Sequence, residues 1–157
     1  MDKRIKIVPF ANEHINETIN IISEYHLYHS ANFPEHFKST EAEEEREYIK
    51  FILSEEGNYG YVAILDDKVV GLALFGLVLK PNNFVCPEVT YIYEIIVKEE
   101  FRSKGIGRVL VNKIVEFSKT RGIEKIELEI KNSNERGISF YKEVGFYDYS
   151  KIMFLDI

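Results

Sequence analysis

A chain of 157 residues with 45% hydrophobic content has the size and apolar share of one globular domain, and its net charge of −6 disfavours non-specific nucleic-acid binding. The longest apolar run, Val69 to Leu79, is too short to cross a bilayer, and no signal-like run follows Met1-Asp2-Lys3-Arg4, so a soluble, unexported protein is expected. A lone cysteine, Cys86, forms no internal disulfide and is too few for a zinc site, which agrees with a reducing, cytoplasmic location.

Lys3 to Val8 alternates charge with Ile5 and Ile7 and reads as a strand stopped at Pro9. From Asn12, a candidate N-cap, Ile15, Ile19, Ile22 and Tyr25 recur at helical steps to about Ser30, and Asn32-Phe33-Pro34 breaks the pattern. The acidic segment from Glu41 to Leu53 predicts a second, largely surface helix finished by Gly57. Tyr59 to Leu65 and Lys68 to Leu79 are strand-like runs joined by Asp66-Asp67, a two-residue hairpin turn. Glu88 to Val97 predicts another strand. It runs into Arg102-x-x-Gly105-x-Gly107 and a helix whose Ile106, Leu110, Ile114 and Phe117 share one face. Ile126, Leu128 and Ile130 alternate with charge in a further strand, which a right-handed parallel crossover would join to the strand before the helix. Asn132-Ser133-Asn134 offers caps for a short helix to Val144, ended by Gly145, and Phe146 to Ile157 reads as a closing hairpin. The sum is a mixed, layered α/β fold with about four helices and six or seven strands, spanning residues 1–157 as a single domain.

The glycine turn joins a strand to a helix N-terminus, where free N–H groups and the helix dipole favour an anion. It is neither a P-loop, since no Gly-Lys-Ser/Thr follows, nor a dinucleotide fingerprint, since Leu110 holds the place of the third glycine. Taken alone, the two glycines fit a phosphate turn or a plain backbone turn equally well.

The run Tyr-Glu-Ile-Ile-Val-x-x-x-Phe-Arg-x-x-Gly-Ile-Gly-x-x-Leu, followed by Asn134-x-x-Gly137-x-x-Phe140-Tyr141-x-x-x-Gly145-Phe146, resembles the GNAT superfamily of acyl-CoA N-acyltransferases. The order of elements over nearly the whole chain is similar to that fold, a mostly antiparallel sheet flanked by helices. The resemblance implies acetyl-CoA as acyl donor. Arg102, Ser103, Lys104, Gly105, Ile106, Gly107 and Arg108 would hold the pyrophosphate, and the backbone of Ile95, Ile96 and Val97 would pair with the pantetheine arm where two strands splay apart. One of those N–H groups would stabilise the developing oxyanion. Asn134 is a helix cap or a partner of the CoA arm. Tyr141 stands where many members place the phenol that protonates the leaving thiolate; otherwise it is an inward aromatic. Gly137 departs mildly from the alanine usual there. Glu94 is the first choice of general base, with Glu88 or a water-mediated route as alternatives.

Acceptor specificity in the superfamily generally resides in the first helices. Here Tyr25 to Phe37 is aromatic and histidine-rich, so Tyr28, His29 and Phe33, with Tyr93 across the cleft, are candidate acceptor residues. His26 and His29 lie three apart on a helix, but no partnering ligand is apparent and no metal is expected. The expected activity is acetyl transfer to the primary amine of a small molecule. Protein N-terminal acetylation is the alternative, because Leu128-Glu129-Ile130-Lys131-x-Ser133-Asn134 also resembles the ribosomal-protein alanine acetyltransferases. A third option is a non-catalytic acyl-CoA-binding module. A homodimer is expected from the resemblance and from the edge of the closing hairpin.

Overall fold

The computed structural model describes residues 5–155 and residue 157. Strand β1 (Lys6–Pro9) leads through a 3₁₀ turn to helix α1 (Ile15–Asn32), and helix α2 (Ala42–Ser54) comes next. Strands β2 (Asn58–Leu65), β3 (Lys68–Leu79) and β4 (Glu88–Val97) precede helix α3 (Ile106–Thr120), strand β5 (Ile126–Leu128) and helix α4 (Glu135–Val144). One five-stranded sheet runs β1-β2-β3-β4-β5. Every neighbouring pair is antiparallel except β4 with β5, which is parallel across the α3 crossover.

Local chemistry accounts for the element ends. Asp66 and Asp67 take φ of 49° and 60°, the left-handed pair that a tight hairpin between twisted strands requires. At α2 the Glu44 carboxylate accepts the Glu41 N–H at 2.8 Å in a capping box. Asn12 is not the cap expected of it. It lies in the 3₁₀ turn, and the Ala11 N–H donates to Nδ1 of His14 at 2.9 Å.

The sheet separates two apolar layers. Ile19 and Ile22 of α1 meet Ile49 and Ile52 of α2 over Val62, Leu72, Leu74 and Ile96. On the other face Ile106, Leu110, Ile114 and Phe117 of α3 cover Ala63, Ala73, Phe75 and Ile92, which is the stripe the periodicity predicts. Buried hydroxyls of Thr90 and Ser118, 2.7 Å apart, tie α3 to β4.

Five strands form among the described residues, where the sequence predicts six or seven. The difference is the closing hairpin: residues 146–155 hold no strand, and Tyr147, Tyr149, Met153, Phe154 and Leu155 are exposed. The adjacent edge, β5, is three residues long, too short a template to fix a hairpin that is marginal by itself. Lys3 and Arg4 of the predicted first strand lie outside the described residues.

One irregularity governs the rest. The β3–β4 register passes from Leu74↔Glu94 to Phe75↔Ile92, so Tyr93 is an extra residue bulged out of β4. Regular alternation would point Ile92 and Glu94 to the same side. Instead Ile92, Ile95 and Val97 pack in the α3 layer, whereas Tyr93 and Ile96 pack toward α1 and α2. Pairing between β4 and β5 also stops at Ile92↔Leu128, leaving the outer edge of β4, among the described residues, without a partner strand from Tyr93 onward.

Leu110 is fully buried and Phe51, on α2, is 62% exposed. Replacing Leu110 with Ala is expected to cost about 2–5 kcal/mol in urea unfolding, and Phe51→Ala within about 0.5 kcal/mol.

Candidate active site

Glu94 is half-buried on the α1–α2 side of β4. Burial raises its pKa to about 7, helped by the negative charge of Glu45 and opposed by His26 and the Tyr48 hydroxyl. That hydroxyl approaches Oε1 of Glu94 at 3.4 Å, a long contact. Tyr25, Tyr48 and Tyr141 all have pKa values well above the ordinary phenol, first through burial and then through the charge of Glu94. Three neutral phenols therefore surround one carboxyl that changes charge near neutrality. Tyr141 is held on α4 with Phe140 and Phe146, its ring centroid 5.0 and 5.4 Å from theirs.

The charge of Glu94 acts on Tyr141, so the fold sets near one another the two residues that the resemblance offers as base and acid. Glu88 does not join them. It opens β4 opposite Leu79, about 20 Å along the strand from Glu94 at ~3.3 Å per residue.

The glycine turn leaves backbone donors free at the start of a helix. Ser103 has φ 61° and Gly105 φ 83°, and α3 begins without a side-chain cap. Among the described residues no hydrogen bond engages the N–H groups of residues 103–108, and the first helical bond is Val109 N–H to the Gly105 carbonyl. The two glycines differ in purpose. Gly105 supplies the left-handed backbone, whereas a Cβ on Gly107 would stand 3.2 Å from Phe140. Ile106 is buried, so only its backbone can face a ligand.

The flanking cations are more occupied than their sequence suggests. Nε of Arg102 donates to the Val97 carbonyl at 2.9 Å and braces the end of β4. Lys104 lies over the Phe101 ring, and Arg108 lies beside Glu143 at 3.8 Å. Arg136, which sequence reasoning missed, reaches from α4 to donate to Ser103 Oγ at 3.1 Å, adding positive charge to the turn. Asn134 is the α4 cap, its Oδ1 accepting the Gly137 N–H at 2.9 Å. A Cβ on Gly137 would overlap that cap at 2.7 Å, which explains the glycine.

The candidate acceptor residues scatter. Tyr28 is 60% exposed, and His29 is buried between Tyr25 and Phe37, whose ring centroids lie 4.3 and 5.2 Å away. Burial lowers the His29 pKa, and its Nδ1 has no hydrogen-bond partner among the described residues. Phe33 caps α1 and packs on His29 at 5.8 Å, and Tyr93 donates to Asn58 at 3.0 Å. The groups that do gather near Glu94 are Tyr25, His26, Glu45 and Tyr48. Glu45 shares the stripe of Ile49 and Ile52 at steps of four and three, a signal that the surrounding acidic run conceals. A surface depression lined by Phe10, Leu53, Tyr59 and Arg121 contains none of these residues.

Residues 21–146 match the model of the Acetyltransferase (GNAT) family. The chain belongs to the GNAT acetyltransferases and is an enzyme of that family. This GNAT chain is 35% identical over 101 residues to an uncharacterized N-acetyltransferase of Methanocaldococcus jannaschii, covering 64% of the chain but 44% of that protein. It is 26% identical over 131 residues to the Escherichia coli [ribosomal protein bS18]-alanine N-acetyltransferase, covering 83% and 76%. Among solved structures, a tetramutant of the Bacillus halodurans BH1408 protein superposes with a TM-score of 0.88 at 22% identity, over 97% and 99% of the two chains. AAC(6')-Iy in complex with the bisubstrate analogue CoA-S-monomethyl-acetylneamine superposes with a TM-score of 0.75 at 15% identity, over 98% and 97%. The donor of a GNAT enzyme is an acyl-CoA and its acceptor an amine. No described helix is long and apolar enough to cross a membrane.

Acetyl-CoA at about 100 times its Kd should stabilise the protein by about 2.7 kcal/mol and raise Tm in a thermal melt. Placing Val at both Gly105 and Gly107 should abolish the rise. An undiminished rise would remove the turn as the phosphate site.

Proposed function

We propose that this GNAT enzyme transfers the acetyl group of acetyl-CoA to the primary amine of a small molecule by direct attack on the thioester, with residues 1–157 acting as one catalytic domain in the cytoplasm. The observation that carries this reading is the half-buried Glu94, with its pKa raised to about 7, beside Tyr141 at the unpaired stretch of β4.

An incoming ammonium gives one proton to Glu94, and the free amine attacks the thioester carbon. Backbone N–H groups of Ile95 to Val97 pair with the pantetheine arm, and one stabilises the developing oxyanion. The C–N bond forms and the C–S bond breaks, and the nitrogen gives up its second proton, which replaces the one Tyr141 delivers to sulfur, so that one proton is left on Glu94. Tyr141 protonates the departing thiolate; its raised pKa keeps the phenol protonated until then. The N–H groups of residues 103–108 take the pyrophosphate, with Lys104, Arg108 and Arg136 as flanking charge. Glu94 and Glu45 make this side of the sheet suited to a cation, and the rings of Tyr25 and Tyr48 stand close to Glu94. Transfer to a protein N-terminus is the second reading, favoured by the likeness to the bS18-alanine enzyme.

Assembly as a homodimer fits the exposed apolar side chains of residues 147–155 and the short open edge at β5. Sedimentation at micromolar concentration should give twice the chain mass of 18.4 kDa.

An amine panel with detection of released CoA should show turnover of small primary amines. Exclusive use of peptides would install the second reading. In the wild type, kcat/KM should rise with pH through about 7 as Glu94 loses its proton. Glu94→Gln should lower the rate about 10²-fold and remove that limb. Tyr141→Phe should retain the acetyl-CoA Tm rise and slow turnover; full activity at every pH would exclude it as the acid.

A further inference from the structure

Acetyl transfer to an ammonium consumes RNH3+ and acetyl-CoA and yields the amide, CoA thiol and one proton. Glu94 takes that proton first, and it must lose it again before the next turnover. The phenols around Glu94 are poor recipients, since Tyr25, Tyr48 and Tyr141 are already protonated and their pKa values are raised. An imidazole is the side chain that ordinarily exchanges a proton between pH 5 and 8. His26 is the imidazole whose charge acts on Glu94.

His26 is held in a particular way. Its Nδ1 lies 2.7 Å from Oε1 of Glu45, a carboxylate only 1% exposed. The Thr40 hydroxyl donates to the same oxygen. No lysine or arginine pairs with Glu45 among the described residues, so the His26 ring and the Thr40 hydroxyl are the groups that satisfy it there. A buried carboxylate without such a partner is expensive. As an acceptor, Glu45 fixes the hydrogen of His26 on Nδ1, which leaves Nε2 with a lone pair. Among the described residues Nε2 has no protein partner, and the side chain keeps 22% exposure to solvent. Tyr48 joins the two sites, its ring 6.2 Å from that of His26 and its hydroxyl at Glu94.

We propose that Thr40, Glu45 and His26 form a proton exit for this active site, in which Nε2 of His26 accepts the proton that Glu94 removed from the amine and releases it to solvent. Glu45 is a positioning residue that sets the tautomer and stabilises the imidazolium. The proposal rests on Glu94 as base. The titratable and charged groups that face His26 are Tyr25 and His29 on α1, Glu45 and Tyr48 on α2 and Glu94 on β4; Tyr141 and Lys131 act one neighbour away, on Tyr25 and His29.

The test uses the full chain, acetyl-CoA and glycinamide, which is both a minimal small amine and a minimal peptide terminus. His26→Asn keeps a hydrogen-bonding group near the Nδ1 position and removes Nε2. It should retain the acetyl-CoA Tm rise and KM while kcat falls about 10-fold or more near pH 7, recovering at alkaline pH where hydroxide discharges Glu94. Added imidazole should restore turnover to His26→Ala, and Glu45→Gln should show the same alkaline recovery with a smaller loss. A wild-type pH profile in folded His26→Asn, or no response of His26→Ala to imidazole, would overturn the exit while Glu94→Gln still fails, leaving the base assignment intact. Full activity of Glu94→Gln, or no amine turnover by the wild type with glycinamide or any panel amine, would remove the base assignment and the exit with it.

Discussion

A single extra residue in β4 decides what this sheet can do. A strand alternates its side chains with a period of two, so a bulge at Tyr93 reverses the facing of the residues beyond it. Glu94 leaves the α3 layer, where an unpaired carboxyl would sit among Ile92, Ile95 and Leu110, and enters the layer of Tyr25, Tyr48 and His26. The same distortion coincides with the end of β4–β5 pairing after Leu128, which opens a strip of unpaired backbone beside the carboxyl. The proposed base and the proposed acyl-arm site are thus two results of one change in register.

The two helical layers divide the work accordingly. The α3 layer is apolar apart from the buried Thr90–Ser118 pair, and it carries the turn of residues 102–108 at the end of β4, with Arg102 bonded to the Val97 carbonyl as a brace. The α1–α2 layer is apolar near Ile22 and Ile49 but polar toward Glu94, where two inward glutamates sit among phenols and imidazoles. Buried polar groups are tolerated only when paired. Glu45 meets that requirement through His26 and Thr40, and Glu94 meets it in part by raising its pKa. His29 is the exception: its Nδ1 has no hydrogen-bond partner among the described residues, and burial lowers its pKa.

Much of this was legible in the sequence. The bounds of β4 and the inward stripe of α3 follow from hydrophobic period, and Asp66-Asp67 declares its own turn. The choice of Glu94 and Tyr141 as candidate base and acid came from a family resemblance and not from spacing. The hidden features depended on contacts between distant segments. Glu45 reads as one more acid in a solvated run until α2 is docked on α1. Tyr28, His29 and Phe33 read as a cleft wall because their composition is aromatic, yet packing folds His29 inward and leaves Tyr28 outside. The bulge has no mark in the sequence, since Tyr-Ile-Tyr-Glu-Ile-Ile-Val is uniformly β-prone. The closing hairpin failed for the opposite reason: its pattern is sound, but a three-residue β5 gives it little edge to pair with.

The most direct test of this account is a crystal structure of the protein with CoA bound. The pantetheine arm should lie along the backbone of Ile95 to Val97 in the gap beyond Leu128, with the pyrophosphate on the N–H groups of residues 103–108. The sulfur should stand beside the Tyr141 hydroxyl with Glu94 across from it. CoA bound elsewhere, such as the depression lined by Phe10 and Arg121, or a continuous β4–β5 ladder past Leu128 in the complex, would contradict it.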